Sequence, residues 1–112
     1  MLGFRVGLQE RAGRLSLNLA ALKSYNHKIA GVDYLVRFAH LKTHRGDCTR
    51  PDAKRPEIRI KAGLSADETL EVICHEFLHA AAFDLLSEDW VEQTGAELAA
   101  LLLKMGYQKN EP

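Results

Sequence analysis

His75-Glu76-Phe77-Leu78-His79 reads H-E-x-x-H and lies in an apolar run from Ser65 to Leu86. The run has the periodicity of a single helix. Leu70, Ile73, Phe77 and Ala81 form one stripe, and Val72, His75, His79 and Phe83 form a second. Upstream, Ser65-Ala66-Asp67-Glu68 has the form of a capping box, in which the Ser hydroxyl and the Glu carboxylate each satisfy an orphan amide of the first turn. Two histidines four residues apart on a helix stand one above the other on the same face. Imidazoles so placed can share one metal ion, with the intervening glutamate beside it. Two core histidines and a carboxylate without a metal would each need another polar partner.

A catalytic zinc takes three protein ligands and keeps a position for water. No histidine follows His79, so a carboxylate must complete the set. Asp84, Glu88, Asp89, Glu92 and Glu97 are available. A second helix is expected over about 88–105, with Ser87 as N-cap and Gly106 as its C-terminal stop. The connection is short, so the two helices should be antiparallel neighbours. Glu92, Gly95, Ala99 and Leu102 fall on one stripe of that helix, where Gly95 and Ala99 permit close approach. On this reading Glu92 is the third ligand, Glu97 faces solvent, and Trp90 packs between the helices.

The remainder of the chain is simpler. Residues 9–24 follow the helical period through Leu8, Ala12, Leu15, Leu19 and Leu22, with a strand through the alternating Leu15, Leu17 and Leu19 as the competing reading, and Asn26 and Gly31 break the pattern. Val32 to Leu41 alternates as a strand, with Val32, Tyr34, Val36 and Phe38 on one face. Residues 42–56 are polar, with Gly46, Pro51 and Pro56, and read as a loop. Glu57-Ile58-Arg59-Ile60-Lys61 alternates again, and Pro56 just before it suggests a sheet edge. The expected fold is therefore α+β: an N-terminal helix, a short sheet, and a pair of antiparallel helices, in one domain over residues 1–112.

Formal net charge is zero but unevenly spread. Residues 1–63 hold thirteen Lys/Arg against five Asp/Glu, and residues 64–103 hold nine Asp/Glu and no Lys/Arg. The loop cations Lys42, Arg45, Arg50, Lys54 and Arg55 make nucleic acid a partner to consider. No apolar run reaches the length of a membrane span. Cys48 and Cys74 make no disulfide framework, and no signal peptide is recognisable, so a reducing cytoplasm is the expected setting.

Glu57–Lys61, Glu71–Ala80 and Glu92–Ala99 together resemble the small H-E-x-x-H metallopeptidase-like proteins of phages and bacteria, similar to the SprT-like and ImmA/IrrE-like groups. The resemblance covers residues 32–105. These families carry a glutamate in a pattern like E-x-x-A-x-x-F-A on the second helix. Here Glu92-x-x-Gly95-x-x-Leu98-Ala99 stands in its place, with Gly for Ala and Leu for Phe. The resemblance implies a minimal zincin fold. It implies Zn2+ on His75, His79 and Glu92, and Glu76 as the base that activates a zinc-bound water. It also implies an extended peptide substrate along Ile58, Arg59 and Ile60. The alternative function is a metal-bearing module that binds peptide or DNA without cleaving.

Overall fold

The computed structural model describes residues 23–107. Within them the chain is α+β: a four-stranded mixed sheet followed by two helices. The strands are β1 (Ser24–Ile29), β2 (Val32–Ala39), β3 (Gly46–Cys48) and β4 (Glu57–Lys61), and the helices are α1 (Ala66–Ala81) and α2 (Glu88–Lys104). The helix expected over 9–24 lies outside the described residues except at its end, where Ser24 already belongs to β1.

β1 and β2 form a hairpin closed by Ala30 and Gly31, with Ile29 opposite Val32. Both turn residues have positive φ (50° and 83°), the backbone of the tight turns whose twist matches the flanking strands. β1 is exposed at five of its six positions, which explains why no apolar alternation marks it. β2 carries the expected face inward: Tyr34 is buried, and Val32, Val36 and Phe38 pack against the core.

The strand order is β1-β2-β4-β3, with β4 parallel to β2 and antiparallel to β3. β4 is therefore an interior strand, contrary to the edge position that Pro56 suggests. Pro56 stands just outside the strand and gives β2 only its carbonyl, which accepts from the Leu35 amide at 3.0 Å. No donor is needed there, so proline is tolerated. The outer edge on that side belongs to β3, three residues inside the segment that reads as loop. Ile58 and Ile60 are buried at 2% and 0% exposure and join Ile29, Tyr34, Val72 and Ala80 in the core.

The opposite face of the sheet is polar. Arg37 pairs with Glu57, and Arg59 holds Asp47 through two hydrogen bonds, so charges on β2, β4 and β3 are matched across the strands.

α1 lies on the core face of the sheet. Its capping box forms as expected: Ser65 Oγ accepts from the Glu68 amide at 3.2 Å, and the Ser65 amide donates to Glu68 Oε1 at 3.3 Å. The helix ends at Ala81, five residues before Leu86, and residues 82–87 form a turn. The stripe through Phe77 and Ala81 is exposed at those two residues, so burial on that side stops at Ile73. α2 starts from Ser87, whose Oγ accepts from the Trp90 amide at 3.1 Å, and stops at Met105 before Gly106 at φ +95°. Trp90 is half exposed, so packing between the helices covers at most part of it. No helix among the described residues is long and apolar enough to cross a membrane.

Two glycines set how closely the layers meet. A Cβ on Gly46 would stand 2.7 Å from Val72 Cγ1 and 3.2 Å from Glu76 Cγ. A Cβ on Gly95 would stand 3.2 Å from His75 Cα. Such distances force a shift of backbone or of a packed side chain. Gly46→Ala should therefore cost about 1–3 kcal/mol of stability, the usual range for overpacking. The loss should be smaller in a Val72→Ala background, where the clashing methyl is gone. Urea unfolding of the four proteins measures this, and equal losses in the two backgrounds would contradict the packing argument.

Candidate metal centre

α1 presents His75 and His79 on one face, with their ring centroids 4.8 Å apart. The two Nε2 atoms are 3.2 Å from each other. Glu88, the first residue of α2, closes the triangle, with Oε2 3.1 Å from His75 Nε2 and Oε1 2.9 Å from His79 Nε2. Tetrahedral ligands at about 2.0–2.1 Å from a metal lie roughly 3.3 Å from one another, and the three donors come within a few tenths of that spacing. His75, His79 and Glu88 form a group that could hold a metal ion. The donor chemistry fits as well, since two imidazoles and one carboxylate are the ligands of several catalytic zinc sites.

Glu92 is not in this group. It lies one helical turn further along α2 and lines the same cleft. The early end of α1 explains the exchange. The chain reverses directly after the last turn that carries His79, so the first turn of α2, not its second, meets the histidines. Two carboxylate positions one turn apart share a helix face, and sequence periodicity alone cannot separate them. Asp89 is exposed, and so is Glu97, which accepts from Gln93 Nε2 at 3.1 Å.

The cleft has a volume of ≈ 230 Å³ and is lined by β3 on one side and the two helices on the other. Besides His75, Glu88 and Glu92, its walls include Arg45, Gly46, Glu71 and Glu76. Arg45 and Glu71 carry no motif, and the sequence gives no sign of either. Arg45 stands one residue before β3, a strand too short to leave a signal in the sequence.

Glu76 is 6% exposed and has no hydrogen bond or ion pair among the described residues. Burial pushes its carboxyl up to about 7, and the negative charges of Asp47 and Glu88 push the same way. A carboxyl near neutrality is poised to take and return a proton. Cys48, on β3, is no metal ligand: its thiol donates to the Thr49 carbonyl at 3.2 Å, and burial raises its pKa to about 11. His44 contacts Asp47 and Thr43 instead. Tyr34 is buried, and its hydroxyl donates to Thr49 O at 3.4 Å, while Tyr107 is exposed past α2. Neither lines the cleft. Ile58 and Ile60 point into the core and Arg59 binds Asp47, so these three do not line it either.

Of the loop cations, Arg45 approaches Glu68 at 3.8 Å and Arg50 binds Asp52 and Asp84. Two of the five positive charges offered to nucleic acid are thus matched within the chain.

Comparison with protein-family models, with curated proteins and with solved structures gave no match.

Two outcomes follow from this geometry. Glu88→Ala should weaken Zn2+ binding by about 100-fold or more, beyond what loss of an outer hydrogen-bond partner costs, and Glu92→Ala by less than about tenfold. Competition with a chromophoric chelator reads both, and the reverse order would restore Glu92 as the ligand. The second concerns the metal-free protein. The carboxyl of Glu76 rises from an ordinary 4.5 to about 7 on folding, so its contribution is full below pH 4.5 and is lost as pH rises through 7. Glu76→Gln should therefore stabilise the metal-free fold at pH 8, by up to roughly 3 kcal/mol, and leave it nearly unchanged at pH 4. Denaturant unfolding at the two pH values shows whether the gain depends on pH.

Proposed function

We propose that this protein is a zinc-dependent peptidase. The observation that carries the reading is Glu76, an enclosed residue with no hydrogen bond or ion pair among the described residues, in the same cleft as the His75–His79–Glu88 triangle. A purely structural metal site has no use for an unpaired carboxylate that lines the cleft beside it.

His75, His79 and Glu88 would hold the ion. When bound there, Zn2+ supplies the positive charge that brings the pKa of a water to roughly 7 and stabilises negative charge on a carbonyl oxygen. Glu76 takes a proton from water as the water oxygen adds to the peptide carbonyl carbon. The C–N bond then breaks, and Glu76 returns the proton to the departing nitrogen. Burial favours its protonated form and a bound cation its ionised form, so the carboxyl has an environment for both transfers. Arg45 adds a cation on the strand side of the cleft.

The substrate would be an extended peptide added to the sheet at β3, not along Ile58–Ile60. Asp47 is paired directly with Arg59, and the flanking bonds run from Lys61 N to Arg45 O and from Thr49 N to Glu57 O. Antiparallel alternation then turns the backbone groups of Gly46 and Cys48 away from β4, toward an edge that no described strand occupies. A peptide there would run directly beside Glu76, which lies against Gly46.

Glu76→Gln is the test. The amide is nearly isosteric with the acid and cannot accept a proton at neutral pH. The variant should keep its zinc and lose about 10²–10⁴-fold in the rate of cleaving an unstructured protein substrate. Hydrolysis at the wild-type rate by a zinc-loaded Glu76→Gln protein would rule the mechanism out.

A further inference from the structure

The third donor of the triangle is held differently from the first two. His75 and His79 belong to the middle and last turn of α1, whereas Glu88 is carried by the turn 82–87 and its side chain is 65% exposed. The backbone hydrogen bonds of that turn are local: Ala82 N to Leu78 O, Leu85 N to Ala82 O, and Val91 N to Ser87 O. A side chain from the loop after β3 also reaches this turn. Arg50 donates from Nη1 to Asp84 Oδ2 at 2.9 Å, and its guanidinium carbon stands 5.1 Å from the centre of the Phe83 ring. Arg50 also donates from Nε to Asp52 Oδ1 at 3.2 Å, which fixes the guanidinium from its own loop. Asp84 has φ +64°, a left-handed backbone that Asp tolerates better than most residues.

An isolated surface ion pair contributes little to stability. Its leverage here is on geometry. A guanidinium that is planar, hydrogen-bonded at two carboxylates and stacked on a ring fixes the turn in both direction and distance. A turn held this way delivers Glu88 to the histidines already oriented, so less ordering remains to be done when an ion binds.

We propose that Arg50 is a positioning residue for the metal centre: by clamping Phe83 and Asp84 it holds the Glu88 carboxylate against His75 and His79. The inference rests on the metal reading of that triangle. Arg50 follows β3 by two residues, so the clamp also joins the strand edge offered to a peptide to the turn that supplies the third ligand. A peptide that orders the end of β3 would thereby steady Glu88.

Zinc affinity, measured by competition with a chromophoric chelator, tests this without any substrate. Arg50→Ala should lower the affinity on the order of tenfold, as loss of a group that orients a ligand does. Arg50→Lys should fall between, since an ammonium keeps one ion pair and loses the fork and the stacking. Asp84→Asn should move in the same direction as Arg50→Ala. The decisive arm is the Glu88→Ala background, where removing Arg50 should change nothing, because the group it positions is gone. Equal affinities for wild type and Arg50→Ala overturn the inference and leave the metal reading standing. An equal further drop in the Glu88→Ala background also overturns it, since the effect would then be general loosening of the fold. Failure of the wild type to bind zinc at all overturns the metal reading, and this inference with it.

Discussion

The constraint on which this structure depends is the fit of α1 between two backbones. On one side β3 approaches at Gly46, where an added Cβ would meet Val72 Cγ1 at 2.7 Å and the Arg59 carbonyl at 3.0 Å. On the other side α2 approaches at Gly95, where an added Cβ would meet His75 Cα at 3.2 Å and His75 N at 3.3 Å. Neither contact lies at an arbitrary point along the helix. Gly46 touches the stem of Glu76, and Gly95 touches His75 itself. Side chains at either position would hold the walls apart and open the cleft to water. The face of α1 that carries His75 and Glu76 thus stands at two close approaches, and packing of that kind resists displacement.

Tight walls have an electrostatic consequence. Glu76 is 6% exposed, has no hydrogen bond among the described residues, and Asp47 and Glu88 add like charge nearby. Fold stability alone would favour a neutral residue there. A divalent ion held at the neighbouring triangle would reverse that balance, because its charge is the largest in the site and favours the ionised carboxylate. The same arrangement that is unfavourable in the empty cleft becomes favourable when a cation is present. Local rules that are broken in this way tend to mark functional positions.

The parts legible in the sequence are those governed by local physics. The capping box at Ser65 and Glu68, the N-cap at Ser87, the stop at Gly106 and the inward face of β2 follow from side-chain chemistry within a few residues. Adjacency of His75, Glu76 and His79 follows from helical spacing alone. Close helix approach at Gly95 and Ala99 was legible for the same reason, as small residues recur on one face. The rest depends on long-range partners. β3 is three residues, Gly-Asp-Cys, with no strand propensity, and it exists because β4 offers it a ladder. β1 is exposed and carries no alternation, so only its pairing with β2 reveals it. Pro56 gave a misleading edge signal, because the rule concerns the missing donor inside a ladder and Pro56 lies one residue outside. That Glu88, not Glu92, stands beside the histidines turns on where α1 ends. Ala-Ala-Ala-Phe after His79 has good helix formers and no stop residue, and nothing local announces that the chain will turn there.

That early turn has a further meaning for how the centre would assemble. All three donors lie within residues 75–88, on the last turns of one helix, the connection, and the first turn of the next. A short closed segment has a small entropy of closure, so the triangle can form as soon as the helical pair does. Glu88 is also a negative charge in the first turn of α2, where the helix dipole favours it with or without a metal. The sheet is not needed to bring the donors together; it is needed to enclose Glu76 and to hold the turn through Arg50. The helical pair would supply the three donors, and β3 with its following loop would steady the third of them through Arg50 and add an enclosed base and an edge for an extended chain.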